Sequence, residues 1–183
     1  MSTKGESLGV FGFEGLFFMY FSLIDKIDEL RPGDTIVATK SLAMSEEYLR
    51  DHFPKFPVMP GVLMIEAMTQ ASAWLVRVTE KFAHSVVVLK ETKNVKFGQF
   101  LQPGQTLVVT SKIISDSENE TIVKVQGAIE GQVRIRAQLT LAKYNLSALS
   151  ESQGQFDPKL IRKLKEELVL LWSNAPSTIL EDC

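Results

Sequence analysis

Residues 52–70 of the chain read HFPKFPVMPGVLMIEAMTQ. Three prolines stiffen the first part of this stretch, which carries His52, one of only two histidines in the chain. The second part is almost wholly apolar, yet it contains Glu66 and Gln70. A titratable base on a stiff loop, followed by a carboxylic acid in apolar surroundings, indicates paired acid–base chemistry.

The second part of this stretch opens a long helical pattern. After Gly61 no glycine or proline interrupts the chain before residue 81, and apolar residues fall on nearly every face of a helix drawn through it. A helix that is apolar all round is usually buried. Pro60 suits the first helical position, where its missing N–H costs nothing. The pattern therefore predicts one long buried helix from about residue 61 to residue 81.

The chain on both sides of this helix has the composition and alternation of β-strands. Turn sequences such as Pro103-Gly104 and Glu130-Gly131 separate the apolar runs. One long helix and six strands joined mostly by hairpins predict an α+β fold, in which an antiparallel sheet wraps around the helix. The predicted strands cover residues 20–30, 35–43, 85–95, 105–114, 121–129 and 132–144.

The last part of the chain is predicted to be a linker and a helical extension, residues 147–183, added to a first domain over residues 1–146. Asp157 and Pro158 have the residue types of a helix cap and a first helical position. Apolar residues from Leu160 to Trp172 recur at helical spacing, so one face of this amphipathic helix must be buried. Packing on its own subunit or on a neighbour is the favoured interpretation, and a separate binding role is the alternative.

Composition excludes several classes of protein. The net charge of -2 gives no argument for nucleic-acid binding, which calls for a basic face. The single cysteine, Cys183, excludes an internal disulfide framework and fits a reducing, cytoplasmic location, and no metal site is expected. The Phe-rich run over residues 8–24 is interrupted by glycines and falls short of the ~20 residues that a membrane span needs. We expect a buried lead-in segment there, with a signal peptide or anchor as the alternative.

The motif in residues 52–70 resembles that of a known enzyme family. The pattern His-Phe-Pro-x-x-Pro-x-x-Pro-Gly-Val-Leu-x-x-Glu-Ala-Met-x-Gln is similar to that of the hotdog-fold 3-hydroxyacyl-[acyl-carrier-protein] dehydratases of the FabZ type. Similarity continues in residues 24–33 and 95–107, so the resemblance covers about residues 20–144. It implies the hotdog fold. Glu66, where the isomerising branch of the family carries aspartate, indicates the plain dehydratase branch.

The resemblance implies an activity and its partners. The expected reaction is dehydration of a 3-hydroxyacyl thioester to the trans-2-enoyl thioester, in fatty acid or related acyl-chain synthesis. The substrate is carried on the phosphopantetheine arm of acyl carrier protein, and no other cofactor is implied. In the family, the histidine and the glutamate of one site come from different subunits. A homodimer with the active site at its interface is therefore expected, either alone or as a trimer of dimers.

The residues themselves fit this chemistry. A base that titrates near neutrality must remove the C2 proton, and we predict His52 for that role. The departing C3 hydroxyl needs a proton donor, and desolvation in an apolar helix favours an un-ionised Glu66. Gln70 lies one helical turn later and can orient that carboxyl. The family places the N–H of Gly61 at the thioester oxygen, where the absent side chain allows close approach.

Other residues are candidates for contacts with the acyl tunnel or the carrier: Lys55, Phe56, Phe97 and Phe100. Lys55 stands where the family usually has glycine. A basic patch for an acidic carrier is a further candidate, and ordinary solvated strand faces are an equally good interpretation of the same residues. The residues of this patch are Lys90, Lys93, Lys96, Arg134 and Arg136.

Two other functions fit a hotdog fold. An acyl-thioesterase would use a helix carboxylate to activate water but would not need the His-Phe-Pro loop. A non-catalytic acyl-binding protein would keep the fold without the chemistry. The presence of His52, Glu66 and Gln70 together favours the dehydratase.

Overall fold

A computed structural model of the chain describes residues 21–50 and 55–176. The Phe-rich run before residue 21 and His52 therefore lie outside the described residues. Six strands form one sheet in the order β1-β2-β4-β5-β6-β3, and all neighbouring strands are antiparallel. The strands are β1 (Lys26–Arg31), β2 (Thr35–Ser41), β3 (Val86–Phe97), β4 (Thr106–Asp116), β5 (Glu120–Ile129) and β6 (Gln132–Tyr144).

The helix α1 (Gly61–Thr79) packs across one face of this sheet. Its side chains Met64, Met68 and Leu75 have no exposed surface and belong to the main hydrophobic core. Burying each of them stabilises the fold by roughly 1.5–3 kcal/mol. The Ser72 hydroxyl is buried as well and lies 2.8 Å from the hydroxyl of Ser111 on β4, so no polar group is left unpaired at this contact. The predicted α+β architecture, a hotdog fold with an added C-terminal helix, is confirmed.

The first strand begins later than the sequence predicted. Residues 21–25 have no strand structure, and β1 starts at Lys26. The cause is a contact with α1: the N–H of Leu23 donates to Oε1 of Gln70 at 2.8 Å, and Nε2 of Gln70 donates to the carbonyl of Phe21 at 2.9 Å. These backbone groups are bound to a side chain of the helix, so the segment lies on α1 before it enters the sheet.

The predicted linker contains two short helical turns, at Leu146–Ala148 and in α2 (Glu151–Gly154), and leads to the helix α3 (Asp157–Leu171). One face of α3 is buried, because Leu168, Leu171 and Trp172 belong to the main core. The extension therefore packs on its own subunit, as its spacing of apolar residues indicated.

Asp157 is the first residue of α3 and does not cap the helix, which corrects the sequence-based expectation. Its carboxylate accepts hydrogen bonds from the N–H groups of Leu146 at 2.8 Å and Ser147 at 3.0 Å, and from the hydroxyl of Ser85. Burial raises the pKa of Asp157, but these hydrogen bonds outweigh burial and hold the pKa below its ordinary value. Asp157 thus ties α3 to the chain that leaves β6.

A buried lysine joins the C-terminal end of α1 to strands β4 and β6 of the sheet. The side chain of Lys143 on β6 is 1% exposed, and its ammonium group pairs with Glu80, directly after α1, and with Asp116 at 2.8 Å. Glu80 also bonds Nδ1 of His84 at 2.8 Å. Burial alone would lower the pKa of Lys143, but the hydrogen bonds to Asp116 and Glu80 raise it above its ordinary value.

No helix within residues 21–50 and 55–176 combines the length and apolar composition needed to cross a membrane.

The first prediction concerns Lys143. Lys143→Met should lower the free energy of unfolding by about 3–5 kcal/mol, because it leaves the carboxylates of Glu80 and Asp116 partly buried without their cation. Urea denaturation at pH 7 measures this change. The double variant Lys143→Met/Glu80→Gln should recover part of the loss, since one of the two uncompensated charges is removed. Equal stability of Lys143→Met and wild type would contradict the prediction.

The second prediction concerns Asp157. Asp157→Ala should destabilise the protein by about 1–3 kcal/mol at pH 7, because two backbone N–H groups lose their acceptor. The pKa of Asp157 is lowered in the folded state, so its contribution is complete above about pH 4, the ordinary range for aspartate, and is lost as the pH falls further. Denaturation curves between pH 7 and pH 3 measure both effects. Glu166→Ala on the exposed face of α3 is the control and should change stability little.

Candidate active site

Two polar side chains of α1 are bonded to each other. Nε2 of Gln70 donates to Oε1 of Glu66 at 2.9 Å, as the spacing of one helical turn allows. Glu66 is half-buried. The structure therefore brings together the predicted proton donor and the residue predicted to orient it.

The Gln70 amide is held in one orientation by backbone groups. Its oxygen accepts from the N–H of Leu23, while its nitrogen donates to the carbonyl of Phe21 as well as to Glu66. An amide turned by 180° would place its nitrogen against an N–H and its oxygen against a carbonyl, which are repulsive contacts. Gln70 thus presents a donor, and only a donor, to Glu66.

The chain that leads into the histidine loop is also anchored. The ammonium group of the buried Lys40 pairs with Glu46 at 2.6 Å, just before the helical turn Glu47–Leu49. The Tyr48 ring in that turn meets the Phe21 ring edge-on, with centroids 6.2 Å apart. Burial, followed by the nearby charge of Glu46, raises the pKa of Tyr48 above its ordinary value, so the phenol stays protonated. His52 follows four residues later, outside the described residues, and its role stays a prediction.

The other end of the loop is fixed to the core. Val58 and Met59 are buried, and the N–H of Met59 donates to the carbonyl of Leu101 at 2.8 Å. Lys55 and Phe56 precede this anchor and are exposed. Their side chains therefore point into solvent.

Gly61 is the first residue of α1 and lies close to the rings of Phe97 and Phe100. A Cβ atom on Gly61 would lie 3.0 and 3.1 Å from two ring atoms of Phe97 and 3.4 Å from the ring of Phe100. The two rings are stacked, with centroids 6.1 Å apart. Only glycine leaves room for this contact without displacing a ring. The N–H of Gly61 donates to no residue that the structure describes, as is usual in the first turn of a helix.

The start of α1 is surrounded by exposed apolar side chains. Phe97 and Phe100 are 46% and 44% exposed, Phe56 is 59% exposed, and Val62 is 75% exposed. The sequence placed Val62 in a helix buried all round, so its exposure is a difference from that expectation. An apolar patch of this kind marks a surface that binds something else.

The residues of the predicted basic patch lie on the neighbouring strands β3 and β6, and several of them are bound to nearby polar side chains. Lys90 pairs with Glu120, and Arg134 bonds Gln132. Lys96 and Arg136, in contrast, lie directly opposite each other on β3 and β6.

Comparison with known sequences gives evidence that is independent of this geometry. A family model described as FabA-like domain matches residues 17–138. The chain is 38% identical over 117 residues to a 3-hydroxyacyl-[acyl-carrier-protein] dehydratase FabZ of Lactobacillus helveticus, an alignment that covers 64% of this chain and 79% of the relative. It is 34% identical over 122 residues to the enzyme of the same name from Ruminiclostridium cellulolyticum, covering 67% of this chain and 86% of the relative.

Solved structures share the fold at lower identity. The dehydratase heterocomplex ApeI:P from Xenorhabdus doucetiae matches with a TM-score of 0.59 and 18% identity, covering 70% of this chain and 87% of the other. The protein smu.793 from Streptococcus mutans, solved with acetyl CoA, matches with a TM-score of 0.53 and 16% identity, covering 69% and 93%. These likenesses support the hotdog fold alone. The family match over most of the sheet and helix, together with relatives aligned over most of their own length, shows that the chain belongs to the FabA-like family.

Proposed function

We propose that the protein is a 3-hydroxyacyl-[acyl-carrier-protein] dehydratase. This hydro-lyase converts a 3-hydroxyacyl thioester to the trans-2-enoyl thioester, in fatty acid or related acyl-chain synthesis. The observation that carries the proposal is the Gln70–Glu66 pair, oriented by backbone groups, in a chain whose relatives are named for this reaction. The substrate is held on the phosphopantetheine arm of acyl carrier protein, and no further cofactor takes part.

The reaction needs one proton removed and one supplied. His52 takes the proton from C2, and the electron pair of that C–H bond forms the C2–C3 double bond. The C3–O bond breaks, and the departing hydroxide takes a proton from Glu66 to leave as water. The histidine then holds the proton that the glutamate has lost, and its return to Glu66 resets the site.

The contact with Gln70 decides which oxygen of Glu66 carries the proton. Oε1 accepts a hydrogen bond from Nε2 of Gln70, which has no lone pair to offer in return. The acidic proton therefore sits on Oε2. This assignment leaves Oε2 as the donor toward the substrate hydroxyl, and Gln70 acts as a positioning residue.

Charge that develops on the thioester oxygen requires a donor as well. The N–H of Gly61 lies at the positive end of α1 and is unused by any described residue. A preorganised donor of this type lowers the barrier by about 3 kcal/mol. The stacked rings of Phe97 and Phe100 border this N–H, which suits an apolar acyl chain beside a polar thioester.

The remaining candidates serve the substrate's two ends. Phe56, Phe97 and Phe100 provide apolar contact with the acyl chain, and Lys55 contacts the phosphopantetheine phosphate or the carrier. All four side chains are exposed, which fits contact with a bound molecule.

The active unit is a homodimer, alone or as a trimer of dimers, with the active site at the interface. Supporting this, β3 is one of the two edge strands of the sheet, is 12 residues long and carries mostly exposed side chains. A long open edge invites pairing with another strand. We place the protein in the cytoplasm, in line with its single cysteine.

A hotdog acyl-thioesterase is the second candidate. It is not favoured, because the similar sequences carry the dehydratase name and because the His-Phe-Pro loop has no purpose in that reaction.

The third prediction tests the two catalytic residues. His52→Ala and Glu66→Gln should each reduce enoyl formation by about 10²–10⁴-fold, since each removes one proton-transfer group. Absorbance of the enoyl thioester measures dehydration, and release of free thiol measures thioesterase activity in the same samples. Glu151→Gln, an exposed change on α2, is the control and should keep full activity. Unchanged turnover in either variant would remove that residue from the mechanism, and thiol release without enoyl formation would favour the thioesterase.

The fourth prediction separates two roles of Gly61. Gly61→Ala should lower kcat/KM by about 10–100-fold, because the added methyl collides with Phe97 and blocks approach to the N–H. Gly61→Ala/Phe97→Leu relieves the collision. Its thermal stability should therefore equal that of the wild type, while its kcat/KM stays low. Full recovery of activity in the double variant would show that Gly61 serves only the packing of Phe97.

A further inference from the structure

A cleft lies between α3, the turn that follows α1 and the chain that leaves β6. Its wall includes Ala83 from that turn, Asn145 directly after β6, and Pro158 and Ile161 from α3. The cleft opens to solvent and has a volume of about 510 Å³. Ligand clefts in proteins typically have volumes of roughly 300–1,000 Å³, so this one has the size to hold a small molecule.

This cleft is separate from the candidate active site. Glu66 lies in the first half of α1, and the helix continues to Thr79 before it reaches the turn that lines the cleft. At a rise of 1.5 Å per residue, that part of the helix is about 20 Å long. The family match ends at residue 138, before Asn145 and α3. The cleft is therefore a feature of this chain that the family match does not describe.

Two polar groups in the wall of the cleft are bound to the protein itself. Oδ1 of Asn145 accepts from the N–H of Ser85 at 2.8 Å, and Nδ2 of Asn145 donates to the carbonyl of Ala83 at 3.1 Å. The carboxylate of Asp157 accepts from two backbone N–H groups and one hydroxyl. These hydrogen bonds hold the wall in place and supply the Asp157 carboxylate with donors, so it does not need a cation from α3.

Two cations of α3 also line the cleft. Arg162 and Lys165 are three residues apart, so their side chains lie on the same side of the helix. Neither forms an ion pair with Asp157 or with any other residue that the structure describes. The ammonium group of Lys165 lies 5.7 Å from the centre of the Phe82 ring, a contact that holds the charge without neutralising it. The cleft thus presents two positive charges that no described acid compensates.

We propose that this cleft binds a small molecule that combines an anionic group, either a carboxylate or a phosphate, with a short apolar part. The anionic group pairs with Arg162 and Lys165, and the planar guanidinium offers it two parallel N–H donors. The apolar part lies against Ala83, Pro158 and Ile161. Because the whole chain carries a net charge of -2, an anion is attracted here by these two cations and not by the protein as a whole.

Four probes separate the two parts of this ligand: hexanoate, hexyl phosphate, hexanol and inorganic phosphate. Hexanol lacks the charge, and inorganic phosphate lacks the apolar part. Two-dimensional NMR spectra of the isotope-labelled full chain report which backbone amides each probe shifts and at what concentration. Stronger binding of hexanoate identifies a carboxylate ligand, and stronger binding of hexyl phosphate identifies a phosphate ligand.

The better of the two charged hexyl probes should shift the amides of Ala83 and Ile161, which line the cleft. Hexanol and inorganic phosphate should each bind about tenfold more weakly or worse, because each forms only one of the two sets of contacts. Equal binding of hexanol would overturn the need for an anion, and equal binding of inorganic phosphate would overturn the need for an apolar part. Absence of binding by both charged hexyl probes would overturn the proposal as a whole.

Two variants test the walls separately. Arg162→Gln/Lys165→Gln should weaken binding of the better probe about tenfold or more, because both cations are lost. Ala83→Leu keeps every charge but fills part of the cleft, and it should weaken binding as well; the Ala83 side chain is exposed, so the fold accommodates the change. Lys159→Gln/Lys163→Gln is the matched control, since it removes two cations from the opposite side of α3 and should bind as the wild type does. Unchanged binding in either cleft variant would overturn the proposal.

The same spectra separate this inference from the proposed function. Shifts of the Gly61 and Glu66 amides with none at Ala83 would place the probe in the candidate active site and overturn the proposal. The titrations require no turnover, so absence of dehydration by the wild type would refute only the proposed function. Melting temperatures of all variants, expected to equal that of the wild type, show that lost binding is not lost folding.

Discussion

The structure depends on the burial of α1 against one face of a six-stranded sheet. Residues such as Met64, Met68 and Leu75 lose all their exposed surface in this contact, and the sheet forms the wall that removes them from water. The helix must also carry Glu66 and Gln70, which need polar partners. They lie on the side turned away from the sheet, where each is half-buried and Gln70 finds backbone groups of residues 21–23. One helix thus supplies both the core and the candidate proton donor.

Much of the fold could be predicted because it follows from local patterns. Apolar periodicity located α1 and α3, and alternation between turns located five of the six strands within a few residues. The errors involve long-range partners. The observed start of β1 differs from the predicted one because Gln70 binds the backbone of the preceding segment. Asp157 does not cap α3, because folding brings it to the N–H groups of Leu146 and Ser147.

The candidate site likewise contains contacts that follow from local patterns and contacts that do not. The spacing of four residues was sufficient to predict that Gln70 meets Glu66. The contact of Gly61 with Phe97 joins residues from a helix start and a strand end, and no local pattern reports it. The sequence grouped Lys93, Lys96 and Arg136, but only the register of the six strands places Arg31, Lys112 and Lys124 in the same two cross-strand rows.

The three hydrogen bonds of Gln70 have an evolutionary consequence. Two of them are made to main-chain atoms of Phe21 and Leu23, which every residue type except proline can supply in full. Drift in the identity of these residues leaves the carboxyl of Glu66 aligned, within the limits that the core sets for Leu23. An insertion or deletion in the same place would shift the main chain against the amide. Selection on this segment should therefore act on its length more strongly than on its composition.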